Sequence, residues 1–180
     1  MMSMRSQGDR AARQACSRAG PVASAPCAVG EEAKVIRVLI ADDNAFVRQS
    51  LVELFTAGGD MQVVAACTDG DEVVSAAEET RPDVVLLDLT MTRVGGLEAA
   101  RRLLAVRPDA RIVFLTATSS AAAVREAREI GAVGFVLKDV DPEALCHAIR
   151  RVAAGGTAWG GEVESQLFDL TEKLVRRHLG

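Results

Sequence analysis

The chain has 180 residues, 49% hydrophobic and 26% charged, a composition that suits one globular domain with a real core plus extra length at its ends. Lys and Arg number 21 against 25 Asp and Glu, a net charge of -4, so the basic footprint of a nucleic-acid binder is missing, and no apolar run approaches the roughly 20 residues that span a bilayer. Cys16, Cys27, Cys67 and Cys146 form no C-x-x-C pair, which argues against a zinc knuckle or a disulfide framework and fits a reducing cytoplasm.

Residues 1–34 read as a disordered tail. Arg5, Arg10, Arg13 and Arg18 precede a small-residue stretch with an Ala23-Ser24-Ala25 motif, but residues 19–30 hold Pro21 and Pro26 and no Leu, Ile or Phe, so a secretory h-region is lacking. From residue 35 short β-branched runs alternate with amphipathic segments, the pattern of βαβ units around a parallel sheet. Strands are predicted at 35–41, 61–66, 83–88, 111–116 and 134–137. Helices are predicted between them from apolar spacings of three and four: Phe46, Val47, Leu51, Leu54 and Phe55; Val73, Val74 and Ala77; Leu97, Ala100, Leu103 and Leu104; Val124, Ala127 and Ile130. A fifth helix opens at Asp141-Pro142, carries Leu145, Ile149 and Val152, and stops at Gly155-Gly156. Residues 35–156 therefore form the expected domain: an α/β, doubly wound, five-stranded parallel sheet in the flavodoxin-like order 2-1-3-4-5, with helices on both faces. Residues 157–180 read as a linker and one amphipathic helix, with Val163, Leu167, Leu170 and Leu174 in a heptad-like seam.

Ligands of such a sheet bind beyond the carboxyl ends of its strands. There the first strand ends in Asp42-Asp43, the third in Asp88, the fourth in Thr116 and the fifth in Lys138. Crowded carboxylates repel, and a hard cation with oxygen ligands resolves the conflict; Mg²⁺ fits, because it keeps positions free for phosphate oxygens. A carboxylate beside Mg²⁺ can be a nucleophile towards phosphorus while the metal and a lysine neutralise the equatorial oxygens. Taken singly, each residue has a blander reading: a cap or turn former for Asp42, a β-propensity choice for Thr116, plain core for Phe135, a solvated strand end for Lys138. His147 and His178 lack a paired ligand and read as surface residues.

The stretches Leu39-Ile40-Ala41-Asp42-Asp43-Asn44, Val85-Leu86-Leu87-Asp88-Leu89-Thr90-Met91, Leu115-Thr116-Ala117 and Gly134-Phe135-Val136-Leu137-Lys138-Asp139, in this order, resemble the receiver domains of two-component response regulators. The resemblance implies that Asp88 accepts a phosphoryl group from a histidine kinase. It implies Asp43 and Asp88 as metal ligands, Asp42 as a ligand or water-mediated partner, and a contribution from the Thr90 backbone carbonyl. Lys138 and Thr116 would each bind a phosphoryl oxygen, and Phe135 would turn inward when Thr116 moves, changing a protein-interaction surface. Such a domain is a switch that promotes its own phosphorylation and dephosphorylation and is not otherwise an enzyme. Thr92 stands where a proline commonly follows the Met, and Gly95-Gly96 replaces the usual Asp-Gly, so the loop after Asp88 is expected to be more mobile than average. Thr90 and Thr118 offer no carboxylate or amide to orient a hydrolytic water.

A haloacid-dehalogenase-type phosphatase would need an acid two residues after its Asp nucleophile, and Thr90 stands there. A flavin site fits less well, because the loop after the first strand is acidic. The segment from Asp141 to Thr157 resembles receivers of the NarL/FixJ type, which usually continue into a helix-turn-helix domain. About 20 residues after Gly156 cannot supply one, so the expectation is a receiver without its DNA-binding output, in this form not a DNA binder. A homodimer or downstream protein contact is expected through the Phe135 face or the terminal helix.

Overall fold

The computed structural model describes residues 34–118 and 120–160. The expected N-terminal tail, the terminal helix and His178 lie outside them. The elements run β1 (Ile36–Ala41), α1 (Ala45–Ala57), β2 (Met61–Cys67), a 3-10 turn (Gly70–Glu72) leading into α2 (Val73–Thr80), β3 (Val84–Leu87), α3 (Gly96–Val106), β4 (Ile112–Thr116), α4 (Ala121–Ile130), β5 (Gly134–Leu137), α5 (Pro142–Ala153) and β6 (Ala158–Trp159). The sheet is parallel throughout, in the order β2-β1-β3-β4-β5-β6.

The central strands read as continuous apolar runs because both of their faces are covered. Alternate residues feed two cores. Leu39, Ala41, Val85, Leu87, Ile112, Phe114 and Phe135 pack with Val73, Ala77, Ala99, Leu103 and Val124 of α2, α3 and α4. Val38, Ile40, Val84, Leu86, Val113, Leu115 and Val136 pack with Leu51 and Phe55 of α1 and Leu145, Ile149 and Val152 of α5. The start signal read for the fifth helix is realised as a cap, and α1 is capped as well. The Asn44 side-chain Oδ1 accepts from the backbone N–H groups of Phe46 at 2.9 Å and Val47 at 3.3 Å. Asp141 accepts from Glu143 at 2.9 Å, with Pro142 in the first turn, where its missing N–H costs nothing.

The sheet has six strands where five were expected. After α5, Gly155 adopts φ 99°, a left-handed turn that glycine makes without strain, and returns the chain alongside β5. Ala158 N–H donates to the Val133 carbonyl at 2.8 Å and Gly160 N–H to the Phe135 carbonyl at 3.1 Å. A two-residue strand whose buried member is an alanine has no alternation to read, and its pairing partner lies more than 20 residues away, so local pattern cannot find it. Trp159 sits in register with Phe135, and the Arg128 guanidinium of α4 lies 4.2 Å above its ring. Gly134 makes the approach possible: a Cβ there would lie 2.7 Å from the Ala158 carbonyl oxygen and 3.0 Å from its Cβ. Gly134→Ala is therefore expected to lift β6 from β5 and to cost about 1–3 kcal/mol of stability. Trp159 is the chain's only tryptophan and there is no tyrosine, so a red shift of its emission reports the separation directly and chemical denaturation gives the cost; an unchanged spectrum would contradict the packing.

Candidate functional site

Parallel pairing carries the polar strand ends to one edge. Asp88 N–H donates to the Ala41 carbonyl at 2.8 Å, placing Asp88 beside the end of β1, and Lys138 N–H donates to the Thr116 carbonyl at 2.8 Å, aligning the ends of β4 and β5. Asp42, Asp43 and Asp88 each bring a carboxylate oxygen into a group whose members lie within 4.8 Å of one another. Asp42, Asp88 and Thr116 are buried and Asp43 is exposed. The Lys138 ammonium stands 2.6 Å from Asp42 Oδ2 and 3.1 Å from Asp88 Oδ2. Asp42 Oδ1 also accepts from Asn44 N–H at 2.9 Å, and Arg48 donates to the Asp42 carbonyl at 2.6 Å, so the acidic turn is held from both sides.

Thr116 and Phe135 sit apart from this cluster in their present bonding. The Thr116 hydroxyl donates to the Thr118 carbonyl at 3.1 Å. Phe135 is fully buried, its ring 6.3 Å from that of Phe114. The expected inward aromatic is therefore already inward while the threonine is bonded within its own turn. Thr90 is an exposed member of the loop after Asp88, and His147 is exposed, as expected of a surface residue.

That loop is tied more firmly than its glycines and missing proline suggest. Gly96 N–H donates to the Leu89 carbonyl at 2.9 Å, closing the neck, and Gly96 has no room for a side chain, since a Cβ would overlap the Asp88 carbonyl. The Thr92 hydroxyl donates to Asp43 Oδ2 at 3.0 Å. Asp69, at the start of the turn after β2, accepts from the backbone N–H groups of Arg93 at 2.7 Å and Val94 at 2.8 Å. Sequence reasoning missed Asp69, Thr92 and Arg48. The available signal was the Asp69-Gly70 dipeptide, which reads simply as a turn.

The electrostatics follow from crowding. Burial raises the Asp88 carboxyl above its ordinary value and the Asp42 charge adds to the rise, while Lys138 and the Thr90 backbone N–H pull the other way without cancelling it. Burial alone would depress Lys138, but its bonds to Asp42 and Asp88 outweigh that and hold the ammonium above its usual range. Three oxygen donors, one of them exposed, against a single ammonium make a set that a hard divalent cation fits.

Because the folded protein holds the Asp88 proton more tightly than the unfolded chain, that contribution is full below the unfolded value and is lost as pH rises through the folded one. At neutral pH the ionised Asp88 is thus a net cost. Asp88→Asn is expected to stabilise the chelator-treated protein at pH 7 by on the order of 1 kcal/mol, the gain disappearing in acid. Lys138→Met is expected to destabilise it, since Asp42 and Asp88 lose their counter-charge; that contribution persists through neutral pH and fades only as pH climbs past the raised lysine value. Thermal unfolding in EDTA at pH 3.5 and pH 7, settings chosen to straddle the ordinary carboxylate range, checks both.

Residues 38–150 match the family model of the response regulator receiver domain. The chain is 41% identical over 157 residues to an uncharacterized transcriptional regulatory protein of Bacillus subtilis, YxjL, a match covering 80% of this chain and 72% of the relative. It is 32% identical over 140 residues to the transcriptional regulatory protein DegU of Brevibacillus brevis, covering 78% of this chain but 59% of DegU. Among solved structures, a LuxR-family two-component response regulator from Aurantimonas superposes with a TM-score of 0.73 at 32% identity, over 77% of this chain and 99% of that one. With its parallel sheet, its acidic edge and these relatives, the chain belongs to the receiver domain family of two-component response regulators.

Proposed function

We propose that the chain is a phosphoacceptor switch in which Asp88 takes a phosphoryl group from a histidine kinase. The observation that carries the proposal is the setting of Asp88: buried, 3.1 Å from the Lys138 ammonium, and grouped with the carboxylates of Asp42 and Asp43. An Asp88 oxygen attacks the phosphorus of a phosphohistidine, the P–O bond forms as the P–N bond breaks, and the electron pair leaves on the imidazole nitrogen. Lys138 neutralises one equatorial oxygen as charge develops there. Asp42, Asp43 and Asp88, with the Thr90 carbonyl, would hold Mg²⁺, which supplies charge neutralisation at the phosphoryl oxygens. Thr116 then exchanges its bond to Thr118 for one to the phosphoryl group, carrying the turn between β4 and α4 with it.

Phosphoryl acceptance is stoichiometric in this reading. Thr90 cannot act as the general acid that a phosphatase of the haloacid-dehalogenase type places two residues after its nucleophile. A place for the kinase is suggested by Phe46, 80% exposed at the start of α1, on an apolar groove of about 270 Å³ that also takes in Leu54, Leu115, Lys138 and Leu145. The cytoplasm, where such kinases present their phosphohistidine, is the proposed location; among the described residues no helix is long and apolar enough to cross a membrane.

A second reading is favoured by the relatives. YxjL and DegU are named as transcriptional regulators, so this chain is proposed, alternatively, to be the phosphorylatable part of a NarL/FixJ-type regulator whose output is DNA binding. A salt-resistant mobility shift on one promoter fragment but not on scrambled DNA would favour that reading. The shared chemistry is tested with acetyl phosphate and Mg²⁺, with intact-mass detection. Wild type is expected to gain one phosphoryl group, Asp88→Ala none, and Lys138→Ala to be labelled at least about 100-fold more slowly. Equal labelling of the Asp88 variant, or continuous release of phosphate without a labelled protein, would overturn the assignment.

A further inference from the structure

We propose that Asp69 is a positioning residue for the acidic edge: a buried carboxylate on the neighbouring turn that fixes the tip of the loop after Asp88. The chemistry it serves rests on the phosphoacceptor reading; the positioning itself stands on geometry.

Residues 89–95 form a closed loop. Its neck is pinned by the Gly96 N–H to Leu89 carbonyl bond, and its root by Asp88 N–H on the Ala41 carbonyl. Neither bond reaches the tip. There Asp69 divides its two oxygens between successive backbone donors, Oδ2 accepting from Arg93 at 2.7 Å and Oδ1 from Val94 at 2.8 Å. Asp69 is 2% exposed, so this grip is out of water, where charge-assisted bonds to backbone N–H are strongest and an unmade one is most costly. Burial would push its carboxyl up, but the backbone donors of Arg93, Val94 and Asp71 and the Arg93 charge outweigh it and hold the group below the ordinary range. The next residue is shaped by the same contact: a Cβ on Gly70 would overlap the Val94 carbonyl. Two consecutive residues after β2 are thus specified by a loop more than 20 positions later in the chain.

Other ties at the tip are weaker. The Arg93 guanidinium reaches Asp71 at 2.9 Å and Glu72 at 3.3 Å, but its side chain is 58% exposed, and ion pairs in water contribute little. The Thr92 bond to Asp43 is likewise exposed, and it depends on the tip being where Asp69 holds it. With no proline at position 92 and a glycine pair at 95–96, the loop has little stiffness of its own. What Asp69 fixes is consequently the setting of Thr90, between Asp88 and the held tip, and of Thr92 on Asp43.

The test uses the full chain with Asp69→Ala and Asp69→Asn. Mg²⁺ affinity is measured by titration calorimetry, the labelling rate with acetyl phosphate as a function of donor concentration, and folding by circular dichroism at a temperature where the variants remain native. Asp69→Ala is expected to bind Mg²⁺ about 10-fold more weakly and to be labelled about 10-fold more slowly at saturating donor. Asp69→Asn is expected to fall between, because its amide oxygen keeps one acceptor while its NH₂ faces a donor. A folded Asp69→Ala with lowered melting temperature but wild-type Mg²⁺ affinity and labelling rate would show a purely structural role and overturn the proposal. If the alanine variant does not fold, Asp69→Asn decides alone: wild-type behaviour in both assays overturns, a partial loss in both supports. Should wild type itself fail to be labelled, the phosphoacceptor reading falls, while a weakened Mg²⁺ affinity in the variants still supports Asp69 as the residue that sets this edge.

Discussion

Three carboxylates gathered at one sheet edge, against one half-buried ammonium, form the constraint on which the rest of the structure turns. Left alone, such a group would disperse or take up protons. It is held because three of its members are fastened through backbone bonds: Asp42 to the Cys67 carbonyl, Asp88 to the Ala41 carbonyl and Lys138 to the Thr116 carbonyl. Sheet pairing thus stores the electrostatic tension. Burial, and to a lesser extent the Asp42 charge, raises the Asp88 carboxyl above its ordinary value, and a cation at this edge would relieve the crowding.

The two cores serve that purpose in different ways. The face covered by α1 and α5 is built from large aliphatics on four strands and offers the acidic edge a rigid backing. The other face holds Phe135 in its core and takes in Met91, Leu89 and Val94 of the loop after Asp88 and Trp159 of β6. Arg128 links α4 to Trp159 across that side, so a displacement of α4 is felt at the strand that caps the sheet.

Much of this was legible in the sequence. Strand ends such as Asp42, Asp88 and Lys138 can be found because buried parallel strands announce themselves as apolar runs, and a polar residue ending one is conspicuous. The cap at Asp141 is local and equally readable, whereas the one at Asn44 went unread beside the acidic pair Asp42-Asp43. Other features were hidden for definite reasons. β6 depends on Gly134 giving Ala158 room, a contact between residues far apart with no periodic signature. Asp69 reads as a turn former, which it is, and only the approach of Val94 to Gly70 makes it also an anchor. Thr92 looked like a lost proline. Its hydroxyl on Asp43 replaces conformational restriction with a hydrogen bond, a trade that backbone statistics cannot reveal.

The bonding of Thr116 sets the scale of the proposed switch. Its hydroxyl donates to a neutral carbonyl, that of Thr118, at 3.1 Å. A phosphoryl oxygen on Asp88 would offer a charged acceptor instead, and bonds to charged groups exceed neutral ones by about 1 to 2 kcal/mol, enough to shift a two-state equilibrium roughly 5- to 30-fold. That differential, and not the absolute strength of either bond, is what can move the turn between β4 and α4. Phe135 need not travel for the shift to occur, because it already fills the space beside Phe114 and is backed by the register of β6. In the proposed switch the rearrangement would therefore fall on the Thr116 hydroxyl, with the packing of Phe135 on Phe114 in place beforehand.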